Sequence, residues 1–179
     1  MTARSLENAA VYYLRRFASS TANFRQVMMR RVARAARFHG SDAEEGAKLV
    51  EDLVRRFTEN GYLNDQAYAE VLAGGLHRRG GSARAIRVKL MQKGLDAETV
   101  EGALAGLSEE TEEPELAAAL VLARKRRLGP YRQQDARRDM REKDLAAMAR
   151  AGFGYDMALK VIDAETAREL EEEVESLRL

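Results

Sequence analysis

Apolar residues recur along this chain at intervals of three and four, the spacing of helices that each bury one face. Ala10, Tyr13, Leu14 and Phe17 form the first stripe, on a helix predicted from Leu6 to Ser19. Ser20 or Thr21 restarts the chain as a second helix through Phe24, Val27, Met28 and Val32, reaching about Phe38. His39-Gly40-Ser41-Asp42 reads as a turn with a cap, and Val50, Leu53, Val54 and Phe57 mark a third helix. Asn60-Gly61 ends that helix, because glycine takes the left-handed cap without steric cost.

The same punctuation continues. Asn64 or Asp65 caps a helix with Tyr68, Val71, Leu72 and Leu76 on its buried face. Arg78-Arg79-Gly80-Gly81 stops it, and Ser82 caps the next, which carries Ile86 and Leu90 one turn apart. Gly94-Leu95 closes that helix, and Asp96 caps another through Val100, Ala103, Leu104 and Leu107. Ser108 to Glu115 lacks large apolar residues and repels itself, so it reads as a linker, with Pro114 suited to the first turn of a following helix. Helices are then predicted from Leu116 to Leu128, up to Gly152 with Leu145, Met148 and Ala149 inside, and through Ala158, Val161 and Ile162. The tail from Ala164 to Leu179 is acidic, with Leu170, Val174 and Leu177 on a stripe. No alternating run of β-branched and aromatic residues marks a strand.

Aligning the glycines exposes an internal repeat. Gly94-Leu95 followed by Val100 and Leu104 corresponds to Gly152-Phe153 followed by Ala158 and Ile162. Ser20, Phe24 and Met28 correspond to Ser82, Ile86 and Leu90. The expected fold is therefore all-α: three tandem three-helix repeats at 5–60, 61–108 and 114–163, in an elongated, curved array, with an acidic helix at 164–179. Each repeat has too little apolar surface to stand alone. Gly74-Gly75 lies inside the first helix of the middle repeat, where each glycine costs about 1 kcal/mol relative to alanine. That helix is expected to be short or bent.

Composition narrows the chemistry. The chain has 179 residues and no cysteine, which excludes disulfide staples and thiolate metal sites. No apolar run approaches the roughly 18 residues of a membrane span. The N-terminal segment lacks the apolar core of a signal peptide, so a cytoplasmic protein without membrane contact is expected. The net charge of +1 conceals alternating blocks: +7 over 1–40, −3 over 41–60, +4 over 61–95, −8 over 96–115, +6 over 116–150 and −5 over 151–179. Each basic block falls on a predicted helix set.

Catalytic, cofactor-binding and metal-ligating residues are not expected. His39 and His77 have no orienting neighbour in sequence and read as surface residues. The glycine pairs lack the spacing and following lysine of a phosphate loop. The candidate binding residues are cations instead: Arg30, Arg31 and Arg34; Arg78, Arg79, Arg84, Arg87, Lys89 and Lys93; and Arg124, Lys125, Arg126 and Arg127. Arg25, Arg37, Arg132, Arg137, Arg138 and Arg141 extend these clusters. Stacked in similar orientation, they would form one positive track suited to phosphates or an acidic protein groove, with binding weakened by salt. There is no tryptophan for base stacking, and Met28, Met91 and Met148 read as core fillers. Two readings of the tail stay open: its glutamates fold back on a basic repeat and compete with DNA, or its apolar stripe docks the last helix.

The spaced pattern Asn60-Gly61-Tyr62-Leu63-Asn64-Asp65, Tyr68-Ala69, Ile86-Arg87, Leu90 and Lys93-Gly94-Leu95 closely resembles the central motif of the RecX regulatory proteins. The stretch Ala123-Arg124-Lys125-Arg126-Arg127-Leu128-Gly129-Pro130-Tyr131, with Arg141 to Met148 and Arg150-Ala151-Gly152, is similar to their C-terminal part, especially in alphaproteobacterial members. The resemblance runs from about Val11 to Ile162. It implies three tandem three-helix repeats and a monomer that binds the RecA filament on single-stranded DNA. It also implies modulation, usually inhibition, of RecA recombinase, ATPase and coprotease functions in DNA repair and the SOS response. The single-stranded DNA backbone is the second expected partner, contacted weakly and without sequence preference. The competing expectation is a sequence-tolerant DNA-binding protein that acts without RecA.

Overall fold

A computed structural model describes residues 2–109 and 112–176. Regular structure among these residues is helical throughout: α1 Ala3–Leu14, α2 Thr21–His39, α3 Ala43–Glu59, α4 Asp65–His77, α5 Ala83–Gln92, α6 Ala97–Ala105, α7 Pro114–Arg126, α8 Gln134–Arg150, α9 Tyr155–Ile162 and α10 Ala167–Ser176. Short 3₁₀ turns occupy Gly106–Glu109 and Gly129–Tyr131. Leu177 of the tail stripe, and Glu110 and Thr111 of the expected linker, lie outside the described residues. Contacts divide the chain into two compact units, Met1–Ala69 with Met91–Thr99, and Glu70–Leu90 with Val100–Leu179. Helices α4, α5 and α6 each contribute residues to both.

The first unit is built on α2 lying along α3, with α1 against α3. Its core joins Leu6 and Ala10 of α1, Phe24, Met28 and Val32 of α2, and Val50, Leu53, Val54 and Phe57 of α3, closed by Leu63. Phe24 stacks on Phe57 at 5.9 Å between centroids and meets Tyr13 at 6.2 Å. Local caps start each helix. Thr2 and Ser5 form a reciprocal box at α1, Ser20 accepts from the Asn23 amide at α2, and Asp42 accepts from the amides of Glu44 and Glu45 at α3. Those two amide bonds hold the Asp42 carboxyl below its usual range.

The second unit packs α7 and α8 around α9. Ala119 and Ala123 let α7 approach closely, while Leu116, Leu120, Leu145, Met148, Phe153, Val161 and Ile162 fill the core. Asp144 is a buried charge at its centre, only 2% exposed. Its carboxylate accepts two hydrogen bonds from Arg132, at 2.7 and 3.1 Å, and a third from the Gly129 amide at 3.0 Å. This clamp holds the Gly129–Tyr131 turn against α8.

Within each unit one helix start is gripped in the same way. Ser20 and Ser82 are both fully buried. The Ser20 hydroxyl donates to the Lys93 carbonyl, and the Thr21 amide donates to Asp65 Oδ1 at 2.7 Å. In the second unit the Ser82 hydroxyl donates to the Ala151 carbonyl at 2.8 Å, and the Ala83 amide donates to Glu115 Oε2 at 2.9 Å. Each start thereby gains a carboxylate at its positive end and partners for amides that otherwise have none. Gly94 and Gly152, directly after the accepting carbonyls, have φ of 77° and 94°. A Cβ at Gly152 would stand 2.6 Å from Ser82 Oγ, and one at Gly94 would overlap the Ala22 methyl. By contrast, α8 begins at Gln133-Gln134 with no side-chain cap.

Several expectations are corrected. Helix α1 runs from Ala3 to Leu14, so Phe17 falls in the following turn and is exposed instead of on the buried stripe. Val71 is 73% exposed; the buried residues of α4 are Ala69, Ala73, Gly74 and His77. His77 is not a surface residue. It is 8% exposed, and its Nε2 lies 2.6 Å from the Pro114 carbonyl. Met91 and Ala149 are exposed rather than core. Helix α4 continues through Gly74-Gly75, so the pair does not shorten it. Asn64 caps α4 by accepting from the Ala67 amide, which leaves Asp65 for Thr21.

The apolar stripe of the tail docks. Leu170 is 5% exposed in the second core, and Val174 packs beside it. Glu173 pairs with Lys160 at 2.7 Å, and Glu171 accepts from the Tyr131 hydroxyl at 2.8 Å. Burial, then that hydrogen bond, raises the Tyr131 phenol above its ordinary value. Leu170→Ala is expected to cost about 2 kcal/mol, read as an earlier urea midpoint; an unchanged midpoint would mean that α10 adds nothing to the fold.

Candidate nucleic-acid and partner interface

In the first unit, Arg30, Arg31 and Arg34 share one side of α2, at i, i+1 and i+4. With Ser5, Val27, Ala35, His39 and Ser41 they line a cleft of about 670 Å³. The flanking arginines are engaged elsewhere: Arg25 pairs with Glu51 at 2.9 Å, and Arg37 lies over the Phe38 ring. Lys93, also in this unit, is half-buried and follows α5, its carbonyl occupied by Ser20.

In the second unit, Arg84, Arg87 and Lys89 project from α5. Arg87 is not free. It grips Glu101 with two hydrogen bonds at 2.7 and 2.9 Å, which raises its guanidinium and lowers the Glu101 carboxyl. Arg78 and Arg79 follow the end of α4, and Arg78 shares a second cleft, of about 680 Å³, with His77, Arg124, Tyr131, Glu171 and Glu175. Arg124, Lys125 and Arg126 form the last turn of α7, where cations favour the helix dipole, and Arg127 caps it at φ 53°. All four are exposed.

Of the thirteen candidate cations, only Arg87 has an ion-pair partner among the described residues. The extension onto α8 is a different case. Arg132 is held by Asp144, Arg137 donates to the carbonyls of Ala164 and Glu165, and Arg141 grips Asp163 at 2.6 and 2.7 Å. Arg132 and Arg141 are thereby neutralised within the second unit, whereas Arg137, bound to neutral carbonyls, keeps its charge and Arg138 is exposed. Sequence reasoning also missed Asp65 and Glu115 as helix-gripping carboxylates. The signal for both was present, an acidic residue at the start of a helix, but not its distant target.

Among the described residues no cluster of His, Asp and Glu is disposed to hold a metal ion, and no helix is long and apolar enough to cross a membrane. The described residues define an all-α protein that presents arginines and lysines without ion-pair partners among those residues. Comparison with known proteins gives that class its family. The profile described as RecX, second three-helix domain, matches residues 64–104, which cover α4 to α6. A Regulatory protein RecX of Myxococcus xanthus (strain DK1622) is 45% identical over 163 residues, covering 90% of this chain and 86% of the relative. The Regulatory protein RecX of Agrobacterium fabrum is 38% identical over 110 residues, 62% of this chain and 56% of the relative. That of Deinococcus radiodurans is 36% identical over 110 residues, 62% and 49%. No solved structure matches. The chain belongs to the RecX family of regulatory proteins.

Proposed function

We propose that the protein binds the filament that RecA forms on single-stranded DNA and hinders filament growth or strand exchange, with no chemistry of its own. Suppression of RecA ATP turnover and coprotease activity follows from the same contact. The observation that carries this reading is the set of twelve candidate cations left without ion-pair partners among the described residues, in a chain where 29 acids nearly balance 30 bases. Unpaired surface cations repel one another and are best accommodated by an acidic partner. The proposed organisation is three three-helix repeats, 5–60, 61–108 and 114–163, acting as a cytoplasmic monomer that gains avidity from several weak contacts.

The test leaves Arg87 in its pair with Glu101. Arg84→Glu with Lys89→Glu is expected to raise the concentration needed to inhibit RecA ATP turnover by about tenfold or more, with cosedimentation lost early in a salt series. Full inhibition by that variant would sink the role of α5. The second role of the tail, competition with DNA, is tested by removing residues 164–179. Tighter filament binding by the truncated chain is the expected result, since Glu171 and Glu175 line the same cleft as Arg78 and Arg124; unchanged binding would discard competition.

A further inference from the structure

Clefts among the described residues differ in charge. The cleft with Arg78 and Arg124 already contains Glu171 and Glu175, and a third, of about 470 Å³, contains Glu101 and Glu115. The cleft on α2 has no carboxylate in its lining, yet three arginines and a histidine stand on it. Its remaining lining is small or apolar: Val27 and Ala35 of α2, Ser5 in the first turn of α1, and Ser41. Guanidinium groups without acid partners, set around an apolar recess of nucleotide size, make two kinds of contact at once. They hold phosphate oxygens through paired N–H donors, and their flat faces stack on an unpaired base.

We propose that this α2 cleft is a single-stranded nucleic-acid site that seats a base against Val27 and Ala35 while Arg30, Arg31 and Arg34 hold the adjoining phosphates. The proposal rests on the reading that the protein works at single-stranded DNA, and it adds where and how. A duplex keeps its bases stacked inward and offers the cleft phosphates alone, so the recess discriminates by strandedness and not by sequence. Stacking on arginine faces needs no tryptophan platform.

The test measures fluorescence anisotropy of the full chain with three probes: labelled oligo(dT), an abasic strand of equal length, and the matching duplex. Wild type is expected to bind oligo(dT) several-fold tighter than either other probe. Arg30→Gln with Arg34→Gln, both exposed and outside the core, is expected to weaken oligo(dT) binding about tenfold and to reduce the salt slope by about 1.4, two phosphates on a single strand. The same variant should lose the preference for oligo(dT) over the abasic strand. Lys143→Gln with Arg150→Gln, exposed on α8 and outside the candidate cations, removes equal charge and is expected to leave that preference intact. Equal binding of the oligo(dT) and abasic probes by wild type overturns the proposal, as does equal weakening by the two double variants. RecA ATP turnover measured alongside separates the two readings. A wild type that passes the oligonucleotide tests without affecting RecA supports the cleft and removes only the filament function.

Discussion

Replacing Asp144 with alanine is expected to lower the stability of the second unit by about 3 kcal/mol, measured as a shift of the urea midpoint and as lost amide protection in α8 and α9. Three hydrogen bonds converge on this buried carboxylate, two from Arg132 and one from the Gly129 amide. Its removal strands a guanidinium that is only 22% exposed and leaves the turn amide unsatisfied. The partner's position near the surface sets the figure at the lower end of the range for broken buried pairs, because water can reach part of the arginine. Replacing both charges, Asp144→Leu with Arg132→Met, is expected to cost less than Asp144→Ala alone, since no unpaired group remains. A loss below about 1 kcal/mol for Asp144→Ala would show that the clamp is dispensable.

Gly152→Ala is expected to be nearly as damaging, at about 2–3 kcal/mol. The residue has φ of 94°, a left-handed conformation that costs a side chain roughly 1–2 kcal/mol. The new methyl also collides with Ser82 Oγ, which caps the Ala85 amide and donates to the Ala151 carbonyl. Loss of such a cap costs about 1 kcal/mol. The two residues share one contact, so their effects are coupled. Ser82→Ala removes the oxygen that the methyl strikes, and the double variant is therefore expected to be more stable than the sum of the single losses implies. Strict additivity in the urea midpoints would refute the contact.

Most helices were legible because their determinants are local. Ser20, Asp42, Ser82 and Asp96 announce helix starts within three residues, and the stripes of Phe24-Met28-Val32 and Val50-Leu53-Val54-Phe57 carry their burial in their spacing. What escaped depends on partners far along the chain. The close-packed face of α4 is alanine, which hydrophobic patterning weighs lightly, so Val71 outranked Ala69 and Ala73. His77 is buried because the Pro114 carbonyl lies against it, 37 residues away. At the candidate site the sequence displayed every cation but not the carboxylates opposite. Arg87 and Glu101 lie on different helices, and Arg132, Arg137 and Arg141 looked like binding charge until their acceptors were in place.

The serine grip at the starts of α2 and α5 also has a direction. It has a giving half, a buried serine with a free amide after it, and a receiving half, a carboxylate and a carbonyl ahead of a left-handed glycine. The middle stretch of the chain owns both halves: Asp65 and the Lys93 carbonyl receive, while Ser82 and Ala83 give. The final stretch receives through Glu115 and the Ala151 carbonyl but has glutamines where the giving serine would stand. A duplicated middle stretch would slot in as one more member, whereas a duplicated final stretch would find nothing to hold it.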